Sequence, residues 1–242
     1  MQFDFKGFNW GRFAESSLPW ELEQGVYDSL SRIKENDIVV DIGAGVGIIP
    51  WGILTNGKNP KRIHMVEPYP PNYYILEENI KTLERAFPGI ARPPTHTCSI
   101  IKESISGKDG PHQISWGYNP IVSSLRFKTL QREYFDRIDF LKIDIEGDEY
   151  HIFEKENLDF INNNTGIIHC EFHLQIGGGP NKKEDLKEKF RHFRDNILPQ
   201  INKEFDILAV CGTHIKWDLY NEHFLDHYNC VIFIFDDKPI IS

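Results

Sequence analysis

Residues 38–47 read IVVDIGAGVG, an apolar run that gives way to three alternating glycines. Ile38, Val39, Val40 and Ile42 suit a buried strand, and Gly43, Gly45 and Gly47 end it. Glycines between a strand and a helix let the backbone approach a ligand closely, and the helix that follows offers its positive end. The next stretch, IIPWGILTNG (48–57), has the apolar content of a buried helix, with Pro50 in its first turn and Gly57 at its end. A second strand, RIHMVEP (62–68), closes on Glu67, 20 residues beyond Gly47. An acid at that spacing can accept hydrogen bonds from both hydroxyls of a ribose.

The same alternation continues outward. NYYILEENIKTLERAF (72–87) is an amphipathic helix, THTCSII (95–101) a strand and HQISWGY (112–118) an extra extended segment. RIDFLKIDI (137–145) predicts a buried strand, DEYHIFEKENLDFI (148–161) a helix, GIIHCEFHL (166–174) a strand and residues 182–198 a long charged helix. FDILAV (205–210), IKWDLY (215–220) and VIFIFD (231–236) follow as strands, separated by a long loop and no convincing helix. Strands alternating with helices predict an α/β fold, a mostly parallel doubly wound sheet with an antiparallel C-terminal edge. One domain over 1–242 is the economical division. Residues 1–36 form an aromatic arm and a helix (Leu22, Val26, Leu30 and Ile33 at helical spacing), and 37–242 form the core.

Composition narrows the function classes. The chain carries 27 basic and 36 acidic residues, a formal net charge of −9, which argues against a broad nucleic-acid-binding face. The basic residues Lys182, Lys183, Lys187, Lys189, Arg191 and Arg194 alternate with Glu184, Asp185, Glu188 and Asp195, the pattern of a solvated helix face. Cys98, Cys170, Cys211 and Cys230 form no CxxC pair, so they are expected to be reduced, as in the cytoplasm. No run has the length and apolarity of a membrane span or a signal peptide, so no membrane partner is expected.

The glycine spacing discriminates between nucleoside cofactors. A nicotinamide dinucleotide usually comes with GxGxxG, whereas this loop is GxGxG preceded by Asp41. A carboxylate there opposes a pyrophosphate but suits the ammonium and sulfonium of S-adenosylmethionine. Four segments then resemble, in order, the FkbM family of S-adenosylmethionine-dependent O-methyltransferases: DIGAGVG, VEPYPPNYYILEENI, IDFLKIDIEGDE and IIHCEF, within residues 23–172. The family commonly has Asn where Gly45 stands and a small residue where Asp148 stands, and its "LD" reads Leu130-Gln131 here. The resemblance implies a Rossmann-like class I methyltransferase fold and a methyl donor held by Asp41, Gly43, Gly45 and Glu67. It also implies a hydroxyl acceptor on a sugar or small natural product.

Strand ends supply the candidate catalytic groups. Ligands of a doubly wound sheet bind outside the carboxyl ends of its strands. Asp144 and Glu171 close two strands expected to be neighbours, and His173 shares a face with Glu171. Asp144, Glu171 and His173 can bind a divalent cation that lowers the pKa of the acceptor hydroxyl. Alternatively His173 or Asp144 removes the proton directly, the form favoured here because magnesium prefers oxygen ligands. Asp148 and Glu149 are expected outside the cleft, as exposed acids of a helix first turn. The loop Gly177-Gly178-Gly179 is expected to close over a bound acceptor. Two other functions fit the same motifs: methylation of a nucleic-acid ribose, and a catalytically silent module that binds the cofactor.

Overall fold

The computed structural model describes residues 7–11, 26–86, 98–114, 119–175, 183–209, 213–215 and 219–237. Ile38–Ile42 (β1) pairs in parallel with Arg62–Val66 (β2) on one side and with Ile138–Ile143 (β7) on the other. Cys98–Ile101 (β3) extends the first side, and Thr165–His173 (β8) the second, again in parallel. Cys230–Asp236 (β10) runs antiparallel to both β8 and Glu204–Leu208 (β9), giving a sheet ordered β3-β2-β1-β7-β8-β10-β9. The expected antiparallel strand is therefore β10, inserted inside the sheet, while β9 forms the outer edge. Strand order reverses between β1 and β7, and the crevice beyond their carboxyl ends is where a doubly wound sheet binds its ligand.

Side-chain alternation builds a core on each face. Val39, Ile63 and Phe140 face one core, shared with Ile48–Thr55 (α1) and Pro70–Ala86 (α2). Val40, Leu141 and Ile143 face the other, shared with Phe127–Tyr134 (α3), Leu158–Asn164 (α4), Lys183–His192 (α5) and Phe224–His227 (α6). Pro50 sits in the first turn of α1, where its missing N–H breaks no helical bond. The α5 helix continues through Phe193–Ile197, and its apolar stripe of Leu186, Phe190 and Phe193 is buried. Its polar side is less solvated than expected, since Lys187 and Arg194 are also buried, Lys187 against Asp226 and Arg194 against Asp195.

Several local expectations change. Residues 148–161 are not one helix; the chain makes the short turns Glu149–His151 and Lys155–Asn157 before α4 begins. The described start of the extra extended segment, His112 and Gln113, belongs to a separate three-stranded sheet of Ser104–Ile105 (β4), Ile121–Leu125 (β6) and Gly110–Gln113 (β5). The described part of the expected 21–34 helix is a tight turn at Asp28–Arg32 that buries Leu30. Phe8 packs edge-on against Trp10 and Trp51, and the Asn79 amide binds both the Asn9 and Val46 carbonyls. That part of the arm is thus tied to the helices behind the glycine loop. The loop at 177–179, Cys211 and residues 216–218 of IKWDLY lie outside the described residues.

Candidate active site

The glycine loop is shaped first by the protein itself. Gly43 has φ +80°, and a Cβ there would lie 1.8 Å from the Asp144 carbonyl oxygen. No side chain fits between the ends of β1 and β7. Gly43 and Ala44 donate their N–H groups to the Val66 carbonyl, and Asp144 donates to Ile42, which locks the three strand ends together. Gly45 (φ +57°) and Gly47 (φ +90°) also occupy left-handed backbone, as the glycine spacing requires.

Two cavities flank this loop. The larger, about 630 Å³ of space including its open mouth, is lined by Gly43, Gly45, Glu67, Glu103, Asp144 and Glu146, with Ile105 and Ile114 of the small sheet as apolar wall. The smaller, about 380 Å³, lies beside Tyr27, Val46 and Lys142. Gly43, Gly45 and Asp144 line both.

Glu67 closes β2 and is 4% exposed. Its carboxylate accepts the Gly45 N–H at 2.7 Å and the Tyr69 N–H at 2.8 Å, which orients it while leaving lone pairs for a ligand. Burial pushes its pKa up to about 7, against the opposing pull of those two N–H groups. Glu103 also lines the cavity, and its Oε2 is buried without a hydrogen-bond partner. A buried carboxylate oxygen in that state calls for a donor from a ligand, such as an amino group. A nucleoside fits these walls: apolar sides, one carboxylate oriented by backbone N–H groups, and an acceptor awaiting a donor.

Asp41 does not take the expected place. It is fully buried, lines neither cavity, and lies 3.3 Å from the Nζ of Lys142, its partner in the β1–β7 register. Strand alternation turns it inward, where it meets Lys142. Burial raises its pKa, with Lys142 opposing. Lys142 also donates to the Gly43 carbonyl at 2.7 Å and approaches Asp144 at 3.5 Å. Burial lowers the Lys142 pKa, but Asp41, Asp144 and Glu171 outweigh it and hold the ammonium charged. Lys142 was not among the candidate residues. The signal was present, because a lysine inside the apolar run FLKI needs an acid on a neighbouring strand.

The strand-end acids do come together. Ile143 pairs with Cys170, so Asp144 and Glu171 leave adjacent strands side by side. His173 Nε2 lies 4.0 Å from Asp144, 3.9 Å from Glu171 and 3.6 Å from Glu146. A left-handed turn at Glu146 (φ +57°) and Gly147 (φ +99°) accompanies the position of Glu146 beside the ring. Burial lowers the His173 pKa, but Glu149, Glu146 and Glu171 outweigh it and raise it well above the usual histidine range.

Asp148 and Glu149 are corrected too. Both are buried, Glu149 completely. Glu149 accepts N–H bonds from Gly147 and Ile145 and holds His173 Nδ1 at 2.6 Å. Asp148 binds His112 Nε2 of the small sheet at 2.8 Å. A short turn leaves no exposed first-turn face for either acid. His169, by contrast, is a structural histidine: it is buried, stacked on Tyr27 and bonded to Ser29, and burial takes its pKa down to about 3.

Comparison with known proteins now decides the family. The family model of the FkbM methyltransferase domain matches residues 41–207. The chain belongs to the FkbM methyltransferase family. Family membership brings S-adenosylmethionine as the cofactor. Among solved structures, the chain is similar to an FkbM methyltransferase from Methylobacillus flagellatus KT, at 13% identity and TM-score 0.48, over 96% of this chain and 62% of that one. It is also similar to Aeropyrum pernix fibrillarin, solved with natively bound S-adenosyl-L-methionine, at 16% identity and TM-score 0.49, over 91% and 74%. A Clostridium thermocellum protein assigned as an rRNA methylase aligns at 13% identity and TM-score 0.51, over 89% and 94%. Identities this low speak to the fold alone. No curated protein sequence matches the chain significantly.

Proposed function

We propose that the protein transfers a methyl group from S-adenosylmethionine to a hydroxyl of a sugar or other small natural-product acceptor. The observation that carries this proposal is Asp144, which lines the cleft that holds Glu67, with Glu171 beside it on the adjacent strand β8. Glu67 would take the ribose hydroxyls, Glu103 an amino hydrogen of the base, and the Gly43–Gly45 backbone would pass close beneath the donor. S-adenosylmethionine supplies a methyl already activated on a sulfonium, so the protein need only align the acceptor oxygen and relieve it of its proton. Asp144, which lines both cavities, and Glu171 beside it are the groups that orient that hydroxyl and receive its proton.

The net charge of −9 favours a small acceptor over nucleic acid. The test is incubation with methyl-labelled donor and a panel of monosaccharides, glycosides, polyols and RNA. Label on a sugar or small-molecule oxygen supports the proposal. Label on RNA would replace the acceptor class, and donor binding without any labelled product would identify a silent binding module.

A further inference from the structure

Beside Asp144 and Glu146, which line the larger cavity, stands a histidine whose two nitrogens are treated differently. His173 is 8% exposed. Its Nδ1 is committed to Glu149, and Glu149 is itself fixed by the N–H groups of Ile145 and Gly147. Its Nε2 makes no hydrogen bond among the described residues and points at carboxylate oxygens of Glu146 at 3.6 Å and Asp144 at 4.0 Å. One oxygen or nitrogen atom from each of Asp144, Glu146 and His173 can be chosen so that all lie within 4.8 Å of one another.

This is the arrangement that a metal-binding histidine has around it. Such a ring donates its distal N–H to a carboxylate, which fixes the tautomer and aims the other nitrogen at the ion. Ligand atoms about 2.1 Å from one ion lie roughly 3.0–4.2 Å apart, depending on the angle between them. The two measured separations fall in that interval. A merely structural imidazolium would instead be expected to close on one of these carboxylates at about 2.8 Å, as Nδ1 does on Glu149.

We propose that Asp144, Glu146 and His173 form the protein side of a divalent-cation site at the acceptor end of the cleft. One imidazole and two carboxylates suit Mn²⁺ in particular, being harder than a zinc site and softer than an all-oxygen magnesium site. Three protein ligands leave coordination positions for water and for the acceptor hydroxyl. This deepens the function proposed above: the coordinated hydroxyl is a stronger acid, and Glu171, 3.9 Å from the ring, stands ready to take its proton.

The site is tested without donor or acceptor, so the outcome is independent of methyl transfer. Chelator-treated full-length protein is titrated with Mn²⁺, and free ion is followed by its electron paramagnetic resonance signal. One Mn²⁺ per chain at micromolar to submillimolar affinity is expected, weakened at least tenfold by Glu146→Gln and by Asp144→Asn. The thermal midpoint should rise with Mn²⁺ in the parent and stay fixed in Glu146→Gln, whose side chain is partly exposed and whose fold is checked by circular dichroism. No uptake at millimolar Mn²⁺, or uptake unchanged in both variants, overturns the proposal. Calorimetry of S-adenosylmethionine on the same chelated protein reports separately on the donor site, so failure of one assignment does not mimic failure of the other.

Discussion

The Nδ1 of His173, at the end of β8, stands 2.6 Å from Oε1 of Glu149, in the turn after β7. Two loops at the carboxyl edge of the sheet are thereby joined through a buried ion pair. Glu149 accepts two backbone N–H bonds besides the imidazole, so its charge is balanced from three directions. Sequence position alone made it a surface acid; the structure makes it the brace behind the site.

Glu149→Ala should therefore destabilise the fold by about 3–5 kcal/mol, the cost of leaving a buried cation and two N–H groups without their acceptor. Glu149→Gln, which keeps one acceptor oxygen, should cost less than the alanine variant but more than 1 kcal/mol, as estimated from the loss of a charged hydrogen bond. Urea unfolding monitored by fluorescence measures both. Stability within about 0.5 kcal/mol of the parent, as for an ordinary surface substitution, would contradict the burial.

Glu67 makes donor binding depend on pH. Its pKa in the free protein is raised to about 7, chiefly by burial. Ribose hydroxyls donate to the ionised form, so below pH 7 binding must first remove a proton. Affinity for S-adenosylmethionine should rise as pH increases towards 7, approaching a tenfold change per unit on the acid side, and level off above it. Binding near pH 6 should also release protons, measurable by calorimetry in buffers of different ionisation enthalpy. In Glu67→Gln the pH dependence should vanish along with part of the affinity. A parent whose affinity is flat from pH 5.5 to 8 would remove Glu67 from the ligand site.

Lys142 and Asp41 form a second brace, inside the sheet. Lys142→Met leaves Asp41 with a buried, uncompensated charge and frees the Gly43 carbonyl, so stability should fall by about 3–5 kcal/mol. Adding Asp41→Asn removes the stranded charge, and the double variant should recover at least half of that loss. Additive losses in the double-mutant cycle would show that the two side chains do not act as a pair.

What the sequence disclosed follows from which interactions are local. Residues 38–67 could be read because strand, glycines, helix and acid follow one another along the chain. The strand-end positions of Asp144 and Glu171 could be read because alternation and topology set them. The pairing of Asp41 with Lys142 was missed for the opposite reason: it depends on β1–β7 register, a contact between residues 101 positions apart. Asp148 and Glu149 were misassigned because DEYHIFEKENLDFI has helical spacing, yet tertiary contacts to His112 and His173 hold its first residues in a short turn. The small sheet was invisible because its strands are short and its partners distant.

Asp144 carries the last prediction. It follows the buried strand β7, lines both cavities, and approaches both Lys142 and His173. Asp144→Asn preserves shape and should leave folding intact while lowering turnover on an identified acceptor by roughly 10²–10⁴-fold, the range for loss of a group that handles a proton. Chelation then distinguishes the two ways in which Asp144 can act. If it is a metal ligand, EDTA should abolish turnover of the parent, and Mn²⁺ should restore it in the parent but not in Asp144→Asn. If it takes the proton directly, EDTA should leave the parent unaffected while Asp144→Asn remains inactive. An Asp144→Asn variant with normal turnover would exclude both roles and move the chemistry to Glu171.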